Sequence, residues 1–377
     1  MALSKIDVAN MLTGLVPNDN TIRRINAKPI IYNGNMAIAQ RTTSETGVGT
    51  AQVFVTDRFR NQPIYGSTAP SARFTITQST TVPSGQGFFN SLKWDCTTAQ
   101  GSLTSDTGFA VEQRVEGFDV QAIKKGTSSA EKLTLAFWVR SNKTGTYICE
   151  LVDNDNTRHC SQSYTISSAD TWEKKVVNFP ADTTGAFGND NALSLKIRIW
   201  VAAGSDFTGG TLATSFASVT NANSAVGQVN LADNTSNEWY ITGIQLEIGE
   251  FSSTTLPPFQ FETVGDSLRR CLRYCYQISG DGSNATDLTQ ITGTGGAGFG
   301  VFRFPVQMRA SPTQSDSGDN TFTMYGPNTG DPSSLRGDRT NPNSCGIVTD
   351  TSITSGNSVN IRVDTGTSNF IRFDAEL

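Results

Sequence analysis

Apolar and polar residues alternate along several long stretches of this chain. In Leu133–Arg140, the residues Leu133, Leu135, Phe137 and Val139 face one way, and Thr134, Ala136, Trp138 and Arg140 face the other. Leu193–Val201 repeats the pattern. Leu193, Leu195, Ile197, Ile199 and Val201 form one side, and Ser194, Lys196, Arg198 and Trp200 the opposite one. A period of two predicts a β-strand with one buried and one wet face, as in an antiparallel sheet. The same rule puts Tyr240, Ile244, Leu246 and Ile248 on one side of a strand over 239–248. Further strands are predicted at 53–57, 73–78, 109–116, 146–152, 163–167 and 174–179. Short strands at this spacing predict one jelly-roll β-sandwich over 31–262. The stretch 203–236, rich in Gly, Ser, Thr and Asn, reads as a long surface loop with a short strand inside it.

Helical spacing occurs twice. In residues 1–16, Ser4 is placed to cap a helix, Ile6, Val8, Met11, Leu12 and Leu15 lie mostly to one side, and Gly14 and Pro17 end it. So short a helix is marginal alone in water, so it needs a partner. Residues 1–30 are therefore expected to be a helix and a polar linker for attachment. Pro257-Pro258 cannot continue a sheet ladder. After them, Asp266 or Ser267 is expected to cap a connecting helix within 263–276, where Leu268, Leu272 and Cys275 repeat at helical spacing. Strands at 299–308, 321–325, 345–349, 358–364 and 369–376 follow. Polar turns at Ser279–Asn284, Asn328–Ser333 and Asp338–Ser344 separate them. The expected fold class is all-β: a jelly-roll sandwich, then a smaller C-terminal β-sandwich over 277–377, with a short N-terminal helix.

Composition agrees with this. The 377 residues leave room for two or three domains, and 35 Gly with 13 Pro argue against long helices. A net charge of −5 does not fit the basic stripe of a nucleic-acid binder. No apolar run approaches the roughly 20 residues that span a bilayer, so no membrane insertion is expected. With no signal-peptide pattern, the chain is expected to be soluble and made in a cytosol. The six cysteines form no CxxC pair and there is one histidine, which argues against a structural zinc site. Reduced, packed thiols are expected, with a Cys149–Cys160 disulfide across a hairpin at Asp153–Asn156 as the alternative.

No nucleophile elbow, phosphate loop or metalloprotease helix occurs, and enzyme activity is not expected. His159 has no partner at catalytic or metal-ligating spacing and reads as a loop residue. The acidic runs Asp153–Asp155 and Asp182–Asp190 read as solvated turns. Glu112, Glu116, Asp119 and Glu150 would matter to glycoside hydrolysis only if the fold set two of them across a cleft. Trp138 and Trp200 are the sharpest candidates, because each lies on the polar side of its strand. If the two strands are neighbours, these indoles and Arg140, Lys196 and Arg198 form one surface. That surface would suit stacking on sugar rings beside cations that meet acidic glycans, or contact with a sister subunit. Trp94, Trp172 and Trp239 lie near strand ends and read as packing residues.

Several segments resemble a known family, in order along the chain. Ile30–Arg41, IIYNGNMAIAQR, is similar to the "NGxMxIxQR" opening of bacteriophage tail-fibre or receptor-binding virion proteins. Thr56-Asp57-Arg58-Phe59 resembles their "DRF" element, VEQRVEG from Val111 their "QxIE" strand, and Leu133–Ser141, LTLAFWVRS, their "SFWVKS" strand. Thr242–Gly249, TGIQLEIG, and Cys271–Tyr274, CLRY, are similar to "TGVQLE.G" and "CQRYY". The closing FDAEL and the opening MALSKIDVANMLTG also look like the ends of such proteins. The resemblance implies a structural virion protein used for host-surface attachment, located in a tail or other appendage and made in the host cytoplasm. It implies a homotrimer that contacts other virion proteins and a host-surface glycan or protein. Capsid decoration or head-fibre proteins share these domains, and a polysaccharide depolymerase is a further alternative. The sandwich also resembles carbohydrate-binding modules, which often hold a structural calcium. Here Asn33-Gly34 is followed by Asn35, Met36 and Ala37, and the closing strand offers Thr242-Gly243. The hard oxygen ligands are missing at those positions, so no metal and no cofactor are expected.

Overall fold

The computed structural model describes residues 29–318, 321–327, 331, 332, 334–366 and 368–377. The expected N-terminal helix, with Ile6, Val8, Met11, Leu12 and Leu15, lies outside the described residues. Among those described, the fold is all-β with a few short helices, as expected.

The first part contains β1 (Ser44–Val48), β2 (Arg60–Ile64), β3 (Arg73–Ser79), β4 (Ser91–Thr98), β5 (Gly108–Glu116) and β6 (Leu133–Ser141). It continues with β7 (Gly145–Asp153), β8 (Arg158–Ile166), β9 (Glu173–Phe179), β10 (Leu193–Ala203), β11 (Ala217–Ser218) and β12 (Glu238–Ile248). They form two antiparallel six-stranded sheets, ordered β1-β3-β4-β12-β6-β9 and β11-β8-β7-β10-β5-β2. One apolar core lies between them. Leu135, Phe137 and Val139 of β6 meet Ile197, Ile199 and Val201 of β10, with Phe74, Trp94, Tyr147 and Trp239. Alternation in β6 and β10 therefore marks the inward faces correctly. Trp94 and Trp239 lie directly opposite each other across β4 and β12 and are fully buried.

The phase read for β12 is wrong at its start. Trp239 and Ile241 point into the core, whereas Tyr240 lies outside with Lys93. A bulge between Thr242 and Gln245 then shifts the register, and Ile244 and Leu246 continue the inward side. Gly243 makes the bulge possible by adopting φ +65°, and an added Cβ there would lie 2.6 Å from Phe88. One extra residue flips every side chain beyond it, so a single parity cannot fit the whole strand. The predicted strand 53–57 is also corrected. Only Val53 forms a bridge, with Asn61; β1 and β2 went unpredicted because they are short and polar, and β4 was missed although Leu92, Trp94 and Cys96 alternate in it.

The connecting helix is α3 (Val264–Cys271); shorter helical turns are α1 (Gly117–Val120) and α2 (Ser205–Thr208). Its N-cap is Thr263, whose hydroxyl accepts from the Asp266 amide, and not Asp266 or Ser267 as expected. The remainder contains β13 (Cys275–Ser279), β14 (Thr286–Gly293), β15 (Gly298–Arg303), β16 (Thr313–Asp316), β17 (Phe322–Tyr325), β18 (Leu335–Asn341), β19 (Ser344–Thr349), β20 (Ser358–Val363) and β21 (Phe370–Asp374). A three-stranded sheet, β13-β21-β16, and a six-stranded one, β17-β20-β14-β15-β19-β18, enclose a second apolar cluster around Ile291, Phe302, Ile347, Ile361 and Phe373.

The two cores meet at a polar seam. Arg58 is buried and ion-paired to Glu376. Arg41 reaches Asp374 at 2.9 Å and Glu376 at 3.2 Å. Glu116 takes both Arg273 nitrogens at 2.7 Å and also accepts from the Tyr274 hydroxyl. Gln40 bonds the Cys275 carbonyl at 2.8 Å.

Candidate functional site

The residues expected to form one aromatic and basic surface are divided by the fold. Trp138 and Arg140 lie on β6 of the first sheet, and Lys196, Arg198 and Trp200 on β10 of the second. The strands are not neighbours, so the single five-residue surface does not form. Trp138 is half-buried on the outer side of its sheet, with Lys174 and Thr242 as cross-strand partners. Arg140 holds Asp170 at 2.9 Å and sits over the Tyr240 ring. Trp200 does point away from the core, as its parity predicts, but it is fully buried. The segment after β10 folds back over it: Phe207 of α2 packs 5.2 Å from the indole, with Ala225 and Ile148 completing a small apolar cluster. The expected surface loop at 203–236 therefore acts as a flap on the second sheet and contains the expected short strand, β11.

Register aligns a polar row across that sheet. Arg60 of β2 is opposite Glu112 of β5, which is opposite Arg198 of β10, which is opposite Glu150 of β7. Glu112 accepts from Arg198 at 2.8 and 3.0 Å and from Arg114 at 2.6 Å. Glu150 accepts from Arg198 and from the Trp200 indole, both at 3.1 Å, and meets His159 Nδ1 at 2.8 Å. Burial by itself would raise the Glu112 carboxyl. The Arg198 and Arg114 guanidiniums outweigh it and hold the group down at about 2. Burial is likewise outweighed by Arg198 and His159 at Glu150, which is also lowered. Both carboxylates are thus ionised and committed to structural partners.

Where β2 and the flap leave this sheet uncovered, an open cleft of about 520 Å³ remains. Arg114 and Arg198 form its floor, Gln62, Ile64, Tyr65 and Gln52 one wall, and Asp206, Phe207 and Asn221 the other, with Asp106 at the rim. Tyr65 is exposed, and its hydroxyl donates to the Thr50 carbonyl at 3.2 Å. Asp106 accepts from the Gly66 amide at 3.0 Å, which ties the two rims together. Pro63 sits in β2, at the edge of the sheet, where its missing donor is tolerated. Arg198 is thus the one predicted site residue that lines this cleft. Tyr65, Asp106, Asp206 and Asn221 escaped sequence reasoning because they lie in turns outside any periodic run. The Pro63–Gly66 turn after β2 was the available signal.

Other candidates resolve as structure. His159 is not a loop residue: it lies in β8, buried beneath the flap, 3.4 Å from the Ser224 hydroxyl. Asp153 and Asp182 are not solvated turns, since both are buried and held by Lys125 at 2.5 and 3.0 Å. Glu112 and Glu150 do come together, but on either side of Arg198. Glu116 belongs to the seam, and Asp119 accepts from the Tyr32 hydroxyl at 2.6 Å. Cys149 and Cys160 lie on the paired strands β7 and β8 but are offset, and all six thiols are free. Among the described residues no group of three or more His, Cys, Asp or Glu is placed to hold a metal ion.

No family model and no curated protein matches this chain. Among solved structures it is similar to a putative sugar binding protein from Bacteroides thetaiotaomicron, at 15% identity over 59% of this chain and 100% of that one, with a TM-score of 0.30. It is similar to TmCBM61 in complex with beta-1,4-galactotriose, at 10% identity over 59% of this chain and 99% of that one, TM-score 0.30. A family 11 carbohydrate-binding module from Clostridium thermocellum in complex with a beta-1,3-1,4-mixed-linked tetrasaccharide gives 12% identity over 56% of this chain and 98% of that one, TM-score 0.28.

Proposed function

We propose that this chain is a non-catalytic glycan-binding protein that serves as an adhesive part of a bacteriophage appendage. The observation that carries the binding reading is the open cleft on the outer face of the second sheet. It combines an exposed aromatic ring, Tyr65, with amide, carboxylate and guanidinium side chains whose positions are fixed by partners in the sheet. Such a lining suits a sugar, which presents an apolar ring face and a rim of hydroxyls. Adhesion is favoured over hydrolysis because Glu112 and Glu150 are held ionised by Arg198, which leaves neither as a proton donor.

The virion setting rests on the sequence resemblance, supported by the way its segments meet. Gln40-Arg41, Asp57-Arg58, Glu116, Arg273-Tyr274 and the closing FDAEL stretch come from five of the matched segments and assemble into one seam. In this reading three copies associate, with Trp138 and Arg140 on the outer face of the first sheet as the contact, since aromatic residues and Arg are enriched at interfaces. Residues 1–30 dock the trimer to the particle, and several weak sites act together through multivalency. A capsid position for the same protein is the second reading, and density for it on the head in a cryo-EM map of the particle would favour that.

Calorimetry of the full chain against a panel of envelope oligosaccharides tests the binding reading. Tyr65→Ala is expected to weaken binding about tenfold or more while leaving the melting temperature unchanged. Release of reducing sugar during the same incubation would replace adhesion with depolymerase activity.

A further inference from the structure

We infer that the outer face of the C-terminal six-stranded sheet carries a second binding site, which takes a short stretch of an uncharged glycan against the ring of Phe299. The inference rests on the glycan-binding reading but on residues far from the cleft in sequence. Alternation in β15 and β19 sends Phe302, Cys345 and Ile347 into the core and turns Phe299, Val301 and Gly346 outward. Register sets Val301 opposite Gly346, and Gly346 opposite Asp338 of β18. Gly346 has no side chain, so a trough opens between Val301 and Asp338. The backbones are close there: an added Cβ would lie 2.6 Å from the Asp338 carbonyl oxygen. The recess measures about 350 Å³, with Phe299 and Val301 on one side and Asp338, Arg339 and Asn341 on the other.

Phe299 is 48% exposed and Val301 60%, so an apolar ledge stands open to solvent. The ring face of a sugar stacks on such a ledge. The opposite wall is polar. Between the pairs Asp338–Gly346 and Asn341–Ser344, Arg339 and Thr340 together face Cys345, and this bulge, with Arg339 at φ +47°, lifts Arg339 out of the ladder. Arg339 is almost fully exposed and its Nε lies 3.7 Å from the Asp338 carboxylate, a loose pair that leaves both groups able to bond hydroxyls. Asn341 is fixed by the turn: its Oδ1 accepts from the Asn343 and Ser344 amides at 2.9 and 3.2 Å, and its Nδ2 donates to the Ser344 hydroxyl at 3.1 Å. One carboxylate and one guanidinium balance each other, which suits an uncharged ligand. The volume is that of a small-ligand site. A second copy of this chain fits less well, because a stable contact needs about 800 Å² per partner around an apolar centre. Here the apolar ledge is narrow, with Thr292 beside Phe299 and Asp338 beyond Gly346.

The test is calorimetry of the full chain with short uncharged gluco-, galacto- and manno-oligosaccharides. Two sites per chain are expected, one lost in Phe299→Ala and the other in Tyr65→Ala. Asp338→Ala should weaken the Phe299 site about tenfold, and it decides the matter if Phe299→Ala proves unfolded by circular dichroism. In Tyr65→Ala, a uronic-acid oligosaccharide should bind no tighter than its carboxyl-reduced form; tighter binding overturns the preference for uncharged ligands. Full binding by Phe299→Ala, with binding lost in Tyr65→Ala, overturns the second site and leaves the cleft standing. The reverse result keeps the second site and removes the cleft from the glycan reading. Absence of binding by the unaltered chain overturns both. Sedimentation of the same proteins covers the remaining occupant: if Phe299→Ala dissociates an oligomer and leaves glycan binding unchanged, this face is a contact between copies and the inference fails.

Discussion

The guanidinium carbon of Arg58 lies 3.4 Å from the ring centroid of Tyr274, so one buried cation joins the sandwich to the segment that follows α3. Tyr32 packs edge-on against the same ring at 5.6 Å, and Glu376 ion-pairs Arg58. Arg58 holds φ +70°, a conformation that costs a side chain roughly 1–3 kcal/mol unless its surroundings enforce it. Here the ion pair and the aromatic ring enforce it.

Breaking that contact should loosen the two cores from each other. Arg58→Ala leaves Glu376 without its closest partner in the seam, and a destabilisation of about 3–5 kcal/mol is expected. The double variant Arg58→Met with Glu376→Leu should recover much of this loss, because it removes both charges together. Urea unfolding followed by intrinsic fluorescence checks both values. Equal losses in the single and double variants would show that charge pairing is not what holds the seam.

The two outward tryptophans should behave differently. Trp200→Ala opens a cavity under Phe207 and removes a donor to Glu150, so about 3–5 kcal/mol should be lost. Trp138→Ala, on the other sheet and half-buried, should cost about 1 kcal/mol or less. Because the sites share no partner, the double variant should show the sum. Thermal denaturation of the three variants measures this, and strong non-additivity would argue against the separation of the two surfaces.

Acid should weaken the sandwich through Glu112. Its carboxyl is held at about 2 in the folded protein, against an ordinary 4.5. A folded-state value below the unfolded one gives stability that is complete above pH 4.5 and is lost as the pH falls towards 2. Stability should therefore rise with pH across that window, and Glu112→Gln should flatten the rise. Urea midpoints measured from pH 2 to 6 report it. An unchanged slope in the variant would place the acid sensitivity elsewhere.

The thiols should be silent in the native state. Burial pushes Cys160 up to about 12 and Cys96 up to about 11, and Cys149 and Cys271 well above the usual thiol range. No reaction with a thiol reagent is expected at neutral pH, and six equivalents should react after denaturation. Four equivalents (six minus two) would reveal the Cys149–Cys160 disulfide that the free, offset thiols argue against.

The alternation in Leu133–Arg140 and Leu193–Val201 determined the strands, their inward faces and the all-β class, because a period of two is a local property of the backbone. Pro257-Pro258 marked where the sandwich's last strand has ended, whereas Pro63 lies inside β2 and the turn expected at Asp338–Ser344 is mostly strand, β18 running to Asn341 and β19 starting at Ser344. Only the tertiary structure decided that Trp138 and Trp200 lie on different sheets, because sheet order depends on pairings between residues tens of positions apart, and nothing local encodes them. The same limit explains the misread start of β12. Its bulge follows from how Gly243 meets Phe88 in space. The cleft joins turn residues from β2, the segment before β5 and the flap, none of which carries a period. Lys196 was expected on one surface with Trp138, Arg140, Arg198 and Trp200. Only the folded sheet decided that Arg198, and not Lys196, lines the cleft, because the flap and β2 cover the face unevenly.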